Sequence, residues 1–274
     1  MAVTLAEINK LRQMTQAGLM DCKKALTEAD GNLEEAMEIL RKKGQLVAAK
    51  RSDREASEGC VLAKVDGNFG AIIALKCETD FVAKNADFVK LATDIMDAAV
   101  ANKCKTLDEV KALPMGNGTV ADAVVERSGI TGEKMELDGY MTVEGEQVIA
   151  YNHMNNNSLC TLVVLNKVVD PAIGKNVAMQ AAAMAPIALN EDGVPQEVKD
   201  HEFKLAAEKA REEGKPENMI ERIASGRMTK FYKEVCLLDQ AYIDDNKLTV
   251  AQYLQKVDKD LTVTDFKRFT LRSE

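Results

Sequence analysis

The stretch that decides the fold runs from Cys60 to Cys77 and reads CVLAKVDGNFGAIIALKC. From Gly59 the spacing of apolar residues changes from helical to alternating, which is typical of β-strands. The two runs are joined across Asp66-Gly67-Asn68, where glycine can supply the positive φ angle of a tight turn without strain. The sequence therefore predicts a β-hairpin at this point.

Upstream of the hairpin, residues 4–44 predict three short helices. Thr4 with Glu7 three positions later is a capping box, and Leu5, Ile8 and Leu11 follow on one face. Asp30-Gly31 closes the second helix, and Asn32 is positioned to cap a third whose apolar stripe ends at Gly44. Residues 45–58, QLVAAKRSDREASE, carry charges of both signs without periodicity and are interpreted as a linker.

Downstream, a helix is predicted from about Asp87, with Phe88, Leu91, Ile95 and Ala99 on its inner face. The segment between strand and helix is therefore an exposed corner, and it contains Phe81. This ring could pack as a hydrophobic staple against its own helix or protrude as a wedge for a partner. The pattern alone leaves both interpretations open.

A strand, strand, helix order recurs after a loop-rich stretch at 113–134. Strands are predicted within YMTVEGEQVIAYNHM (140–154) and LCTLVVLNKV (159–168), a helix within 170–189, and a final strand near 261–271. We infer an α+β fold with two related halves, each an antiparallel sheet covered on one face.

Two charged, helix-rich segments, Pro195–Gly214 and Pro216–Gln240, predict an antiparallel helical hairpin that resembles a coiled-coil arm. A self-packed arm and a binding or dimerisation arm are both consistent with the pattern. The predicted domains are a helical bundle with its linker (1–54), a first core subdomain (55–139), a second core subdomain (140–180 with 241–274) and the arm (181–240).

Composition argues against several classes of protein. A net charge of -8 and a pI near 5.1 disfavour nucleic acid as the main ligand, because phosphate backbones are bound through excess Lys and Arg. The N-terminus lacks the pattern of a signal peptide, and no window approaches the roughly 18 apolar residues of a membrane span. We expect a cytoplasmic protein that binds no membrane, with its six scattered cysteines reduced.

The sequence contains no clear motif for nucleotide binding, metal binding or catalysis. GITGEK and AIGKN lack the spacing of a phosphate-binding loop, and the two histidines, His153 and His201, have no partners at metal-ligand spacing. A cysteine-dependent hydrolase that pairs Cys160 with His153 is the one enzyme hypothesis that the residue counts do not exclude, because such pairs meet only in space. We expect no catalytic residue, no metal and no cofactor, and therefore a protein that works by surface recognition.

Three blocks carry a resemblance to a known family. LRQMTQAGLMDCKKAL (11–26) is similar to the LR-x-x-T-G-A-G-x-M-D-C-K-K-A-L signature of bacterial elongation factor Ts, ETDFVAKN (78–85) matches its T-D-F-V block, and residues 214–242 resemble its arm. The resemblance implies a guanine-nucleotide exchange factor for GDP-bound elongation factor Tu. It also implies a bundle like a ubiquitin-associated module, two related core subdomains and an inserted helical arm.

The resemblance also implies contacts for individual residues. The corner Thr79-Asp80-Phe81-Val82 would displace Mg²⁺ from the GTPase, with Phe81 as the wedge. Further partner contacts are implied for five residues: Arg12, Leu19 and Met20 on the bundle, His153, and Gly132, where Thr131 replaces the Ile of a contacting Ile-Gly pair. The sequence does not distinguish whether the chain forms a homodimer or a 2:2 complex with the GTPase.

Two further features depart from the family pattern. Gln16 replaces a Gly of T-G-A-G, and the sequence ends at FTLRSE, soon after the last predicted strand, whereas some members carry a further helical module that touches the partner. The alternative function is a ubiquitin-associated-type adaptor that tethers proteins without exchanging nucleotide.

Overall fold

The structure, a computed structural model, describes residues 3–15, 17–154 and 157–271. Helices and small antiparallel sheets make up the chain, which confirms the predicted α+β class. The two departures from the family pattern, at Gln16 and after Leu271, lie outside the described residues.

The described residues form eleven α-helices and one short 3₁₀ turn. The helices are α1 (Leu5–Thr15), α2 (Leu19–Glu28), α3 (Leu33–Lys50), α4 (Asp80–Ala83), α5 (Ala86–Ala101), α6 (Leu107–Ala112), α7 (Val120–Thr131), α8 (Pro171–Met184), α9 (Gln196–Glu212), α10 (Glu217–Val235) and α11 (Val250–Gln255). The 3₁₀ turn is Glu191–Gly193.

Ten strands are described in the same residues. They are β1 (Glu58–Asp66), β2 (Phe69–Cys77), β3 (Pro114–Met115), β4 (Gly118–Thr119), β5 (Met135–Glu144), β6 (Gln147–Asn152), β7 (Leu159–Leu165), β8 (Ala241–Tyr242), β9 (Asp245–Thr249) and β10 (Val263–Thr270). Two three-stranded sheets result, with the orders β1-β2-β5 and β10-β7-β6, and two small ribbons, β3-β4 and β8-β9.

The chain divides into two compact units. The first comprises the described residues of Met1–Leu62, Ile72–Met141 and Thr270–Glu274, and the second those of Ala63–Ala71 and Thr142–Phe269. The four domain limits drawn from the sequence stay predictions.

In the first unit, α1 to α3 form the predicted three-helix bundle. Thr4 N donates to Glu7 Oε2 (2.8 Å) and Glu7 N to Thr4 Oγ1 (3.3 Å), which confirms the capping box. Ile8 and Leu11 are buried with Cys22, Leu26 and other bundle residues, whereas Leu5 is exposed despite its place on the same predicted stripe.

The linker predicted at residues 45–58 is wrong over its first part, because α3 continues through Gly44 to Lys50. Gly44 is buried inside the helix rather than ending it. A Cβ on Gly129 of α7 would lie 2.4 Å from Gly44 Cα, so the two helices approach at a pair of glycines. Glycine has no side chain, so the two helices can approach this closely. The packing that results outweighs the low helix propensity of glycine.

The loop predicted at 113–134 is also wrong, because this stretch contains α7. Thr119 and Asp122 form a capping box at its start, and Gly132 ends it in the left-handed conformation (φ 74°). Val120 and Val124 are buried. The glycines at both ends of the stretch suggested a loop, yet they bracket a helix.

The predicted hairpin is β1 and β2, with Gly67 at φ 58° in the turn. The sequence assigned Tyr140–Glu144 to the second half of the core. In the structure these residues belong to β5, which lies beside β2 in the first sheet.

In the second unit, β6 and β7 pair antiparallel from Gln147↔Leu165 to Asn152↔Cys160. Helix α8 covers this sheet, with Val177, Ala178 and Ala181 buried against Val163 and Leu165. Thr161 Oγ1 donates to Ala178 O (2.8 Å), so the polar group buried beneath the helix is satisfied.

The predicted helical hairpin, which we call the arm, is formed by α9 and α10. Pro195 and Pro216 precede the two helices, and Gly214 between them has φ 71°. Small residues and one large apolar residue fill the interface: Ala206, Ala207, Ala210, Ile220 and Ala224. Helix α10 ends at Val235, five residues before the predicted limit, because Cys236 forms a bridge with Ala188. Among the described residues, no helix is both long enough and apolar enough to span a bilayer.

Candidate functional site

The corner between β2 and α5 is built from two successive helix caps. Thr79 is the N-cap of the one-turn helix α4, its Oγ1 accepting from Val82 N at 3.4 Å. Asn85 caps α5, its Oδ1 accepting from Asp87 N (2.9 Å) and Phe88 N (3.3 Å). Caps at both ends of so short a segment restrict its backbone.

Phe81 points away from its own unit. Its side chain is 85% exposed, whereas Phe88 on the next helix is fully buried. The interpretation of Phe81 as a staple against its own helix is therefore wrong. The remaining interpretation, a protruding apolar group, is the one that the geometry favours.

The residues beside Phe81 hold the turn itself. Lys84 Nζ donates to Asp80 Oδ2 at 2.6 Å across one turn. This hydrogen bond, together with the charge of Lys84, lowers the pKa of Asp80. Ala83 is buried, so the corner is seated on its unit by its inner face while Phe81 stays outside.

The predicted residues on the bundle lie on its surface. Arg12 is exposed in the last turn of α1, and Leu19 and Met20 open α2 with exposures of 43% and 59%. Met14 is exposed as well. Apolar side chains thus remain at the surface near the α1–α2 turn, where a partner could cover them.

The other two predicted residues, Gly132 and His153, lie on different elements from the corner and the bundle. Gly132 is the left-handed C-cap of α7. His153 follows β6 in the second unit, where its Nδ1 lies 3.0 Å from Tyr151 Oη and its N donates to Leu159 O. His201 is exposed on the arm.

Comparison with known proteins identifies the family. A sequence model of the family described as Elongation factor TS matches residues 78–273, beginning just before the Thr79 corner. Proteins called elongation factor Ts are similar to the chain over the whole length of both: that of Bacteroides thetaiotaomicron at 56% identity, that of Bacteroides fragilis at 56% and that of Porphyromonas gingivalis at 51%. The chain belongs to the elongation factor Ts family.

Beside the T-D-F-V block of the family, the structure adds a cluster that the sequence did not reveal. Glu78 accepts hydrogen bonds from Arg51 (3.1 and 3.2 Å), Arg54 (2.9 Å) and the backbone N of Lys134 (2.6 Å). Burial by itself would raise the pKa of Glu78, but the bonds from Lys134, Arg54 and Arg51 outweigh it and lower that pKa. No local pattern could have predicted the cluster, because its members come from three separate segments.

The hydrolase hypothesis loses its support for this member of the elongation factor Ts family. Cys160 is fully buried in β7, so a substrate could not reach its sulfur. Within 3–15, 17–154 and 157–271, no group of three His, Cys, Asp or Glu side chains is arranged to hold a metal ion.

Proposed function

We propose that the chain is a cytoplasmic guanine-nucleotide exchange factor for elongation factor Tu, acting by binding and without covalent chemistry. The observation that carries the proposal is the exposed ring of Phe81 on a doubly capped corner, within the block that resembles the T-D-F-V block of the family. Membership of the elongation factor Ts family supports the choice of partner.

The mechanism follows from thermodynamic linkage. If the exchange factor and GDP each bind the GTPase, each weakens the other by the same factor. The factor must therefore stabilise a GTPase conformation with poor contacts to Mg²⁺ and phosphate. Since Mg²⁺ requires near-octahedral coordination, a small displacement of its ligands costs the nucleotide much of its affinity.

In this proposal Thr79, Asp80, Phe81 and Val82 enter the GTPase and disturb its Mg²⁺ site, with Phe81 as the wedge. Truncation of a buried hot-spot side chain in a protein interface costs about 2 to 4 kcal/mol of binding free energy, and each 1.4 kcal/mol corresponds to about tenfold in affinity. One ring could thus supply a weakening of GDP binding of more than tenfold.

The other predicted residues bind without displacing Mg²⁺. Arg12, Leu19 and Met20 would grip the surface of the same GTPase, and His153 and Gly132 would add contacts elsewhere. The exposed apolar surface at Leu19 and Met20 supports their part in the proposal.

The substitution Phe81→Ala tests the wedge. We expect GDP release from elongation factor Tu to be at least tenfold slower than with the unaltered chain, measured by stopped flow with a fluorescent GDP. The melting temperature should not change, because the ring is 85% exposed. Leu46→Ala, which shortens another exposed apolar side chain of the same unit, is the matched control. Release at the rate of the unaltered chain would refute the wedge.

The adaptor alternative is tested by substituting Leu19 and Met20 together by Ala. For an exchange factor, we expect a higher KM for elongation factor Tu with kcat retained, because the corner is intact. An adaptor would lose all binding and would never have accelerated GDP release. Side-chain substitution is cleaner than deletion of residues 1–54, since the described residues of that segment belong to the same compact unit as Ile72–Met141.

A further inference from the structure

We propose that Glu133 is a positioning residue for the corner that presents Phe81, an inference that rests on the proposed exchange function. Glu133 lies between α7 and β5, far from the corner in sequence and in contact with it in space. It has no place among the predicted partner contacts, although it directly follows Gly132.

The Glu133 carboxylate binds the backbone and the side chain at the start of the corner. Its Oε2 accepts from Glu78 N (3.2 Å) and Thr79 N (3.1 Å), and its Oε1 accepts from Thr79 Oγ1 (2.6 Å). Hydrogen bonds to an ionised acceptor are about twice as strong as those between neutral groups. Because the Thr79 hydroxyl donates to Glu133, its oxygen is oriented to accept from Val82 N and so to cap α4.

Helix α4 needs this external support because it has only four residues, Asp80–Ala83. A single helical turn orders several residues for very few hydrogen bonds and is unstable in isolation. The Phe81 ring, being 85% exposed, is held by little from its own side. The direction of the ring therefore depends on the cap at Thr79 and on the group that orients the cap.

Glu133 is itself attached to a well-defined point. Its N donates to Thr131 Oγ1 (3.3 Å), and its carbonyl oxygen accepts from the hydroxyl of Ser128, a buried residue of α7. The reverse bond, from Lys134 N to Glu78 Oε1 (2.6 Å), ties the same two segments a second time. Each segment thus offers a carboxylate to the backbone of the other.

An ordered corner lowers the conformational cost of inserting Phe81 into a partner. Loss of the Glu133 carboxylate should leave Phe81 at the surface of the corner, but its ring should then sample many orientations. We expect Glu133→Ala to lower kcat/KM for nucleotide exchange by about tenfold, the effect of losing 1.4 kcal/mol of preorganisation. Glu133→Gln keeps an oxygen acceptor for the backbone amides of Glu78 and Thr79. Its kcat/KM should therefore lie between those of Glu133→Ala and the unaltered chain.

The experiment combines two measurements on the full-length chain. Nucleotide exchange on GDP-loaded elongation factor Tu is measured for three variants, Glu133→Ala, Glu133→Gln and Thr79→Val. Each variant is also combined with Phe81→Ala. Glu55→Ala, which removes an exposed carboxylate of the same unit, is the control. Amide hydrogen exchange at Thr79 and Val82 is followed by NMR in the chain without partner. We expect protection to drop in Glu133→Ala and the Glu133 effect to vanish in the Phe81→Ala background, because residues that act through one another are not additive.

The outcomes that overturn the inference are distinct from those that overturn the function. Unchanged protection at Thr79 and Val82 in Glu133→Ala, or a Glu133 effect that persists in full without Phe81, would show that Glu133 does not position the ring. Thr79→Val, which removes the hydroxyl and keeps the side-chain shape, tests the same contact should Glu133→Ala not fold. Failure of the unaltered chain to accelerate GDP release would instead overturn the proposed function, and this inference with it.

Discussion

Phe81 and Phe88 show how one residue type meets opposite fates seven positions apart. Phe88 lies on the inner face of α5 and is fully buried, whereas Phe81 lies on the outer side of α4 and is 85% exposed. Burying such a ring is worth about 1.5 to 3 kcal/mol, so leaving it in water forgoes stability in the free chain. A partner that covers the ring would recover this free energy as affinity.

At the same scale, Glu78 makes stability depend on pH. The pKa of Glu78 lies below its ordinary value of 4.5 in the folded chain, so the carboxylate stabilises the fold above that value. As the pH falls through the lowered pKa, Glu78 takes up a proton and the contribution is lost. We therefore expect Glu78→Gln to be less stable than the unaltered chain at pH 6, with the difference shrinking below about pH 4.5.

Urea unfolding at a series of pH values between 3 and 7 measures this difference. Glu55→Gln removes an exposed carboxylate and serves as the control. A constant difference between Glu78→Gln and the unaltered chain over the whole range would contradict the assignment.

At the scale of elements, the contact between α3 and α7 depends on two glycines. A methyl group on Gly129 would lie 2.4 Å from Gly44 Cα, a backbone atom that cannot move aside without shifting the helix. The same contact places α7 beside the bundle within the first unit. This close packing offsets the low helix propensity of the two glycines.

The pair Gly129→Ala and Gly226→Ala tests this contact. Both sites lie in helices, where alanine is favoured over glycine by about 1 kcal/mol. At Gly226 an added methyl group meets none of the described atoms within 4 Å, so we expect stabilisation by about 0.5 to 1 kcal/mol. At Gly129 the clash should outweigh the propensity and destabilise the chain by about 1 to 3 kcal/mol. Thermal unfolding of both variants gives the signs, and a stabilised Gly129→Ala would mean that the helices do not touch there.

At the scale of the whole molecule, all six cysteines are free and buried, and they occur in both units. Burial raises the pKa of Cys60 and of Cys77 to about 12, and that of Cys236 to about 11. The thiolate is the reactive form, so these sulfurs are both hidden and protonated near neutral pH.

We therefore expect none of the six thiols to react rapidly with a thiol reagent at pH 8 in the native chain, and all six to react in concentrated urea. Alkylation under native conditions should leave the proposed nucleotide-exchange activity unchanged. Mass spectrometry after timed labelling counts the modified residues. Rapid labelling of any of the six thiols in the native chain would contradict this burial.

Local signals in the sequence were enough to predict the elements whose determinants lie within a few residues of one another. The Asp66-Gly67 turn, the caps at Thr4 and Asn32, and the prolines that open the arm helices act through the backbone of their immediate neighbours. Tertiary structure decided the rest. Whether Phe81 is buried, how α7 packs against α3 and which sheet receives β5 depend on contacts between segments distant in sequence, such as Gly44 beside Gly129 and Glu133 beside Thr79. Burial and hydrogen bonding between such segments arise only when the chain has folded, so no local preference encodes them.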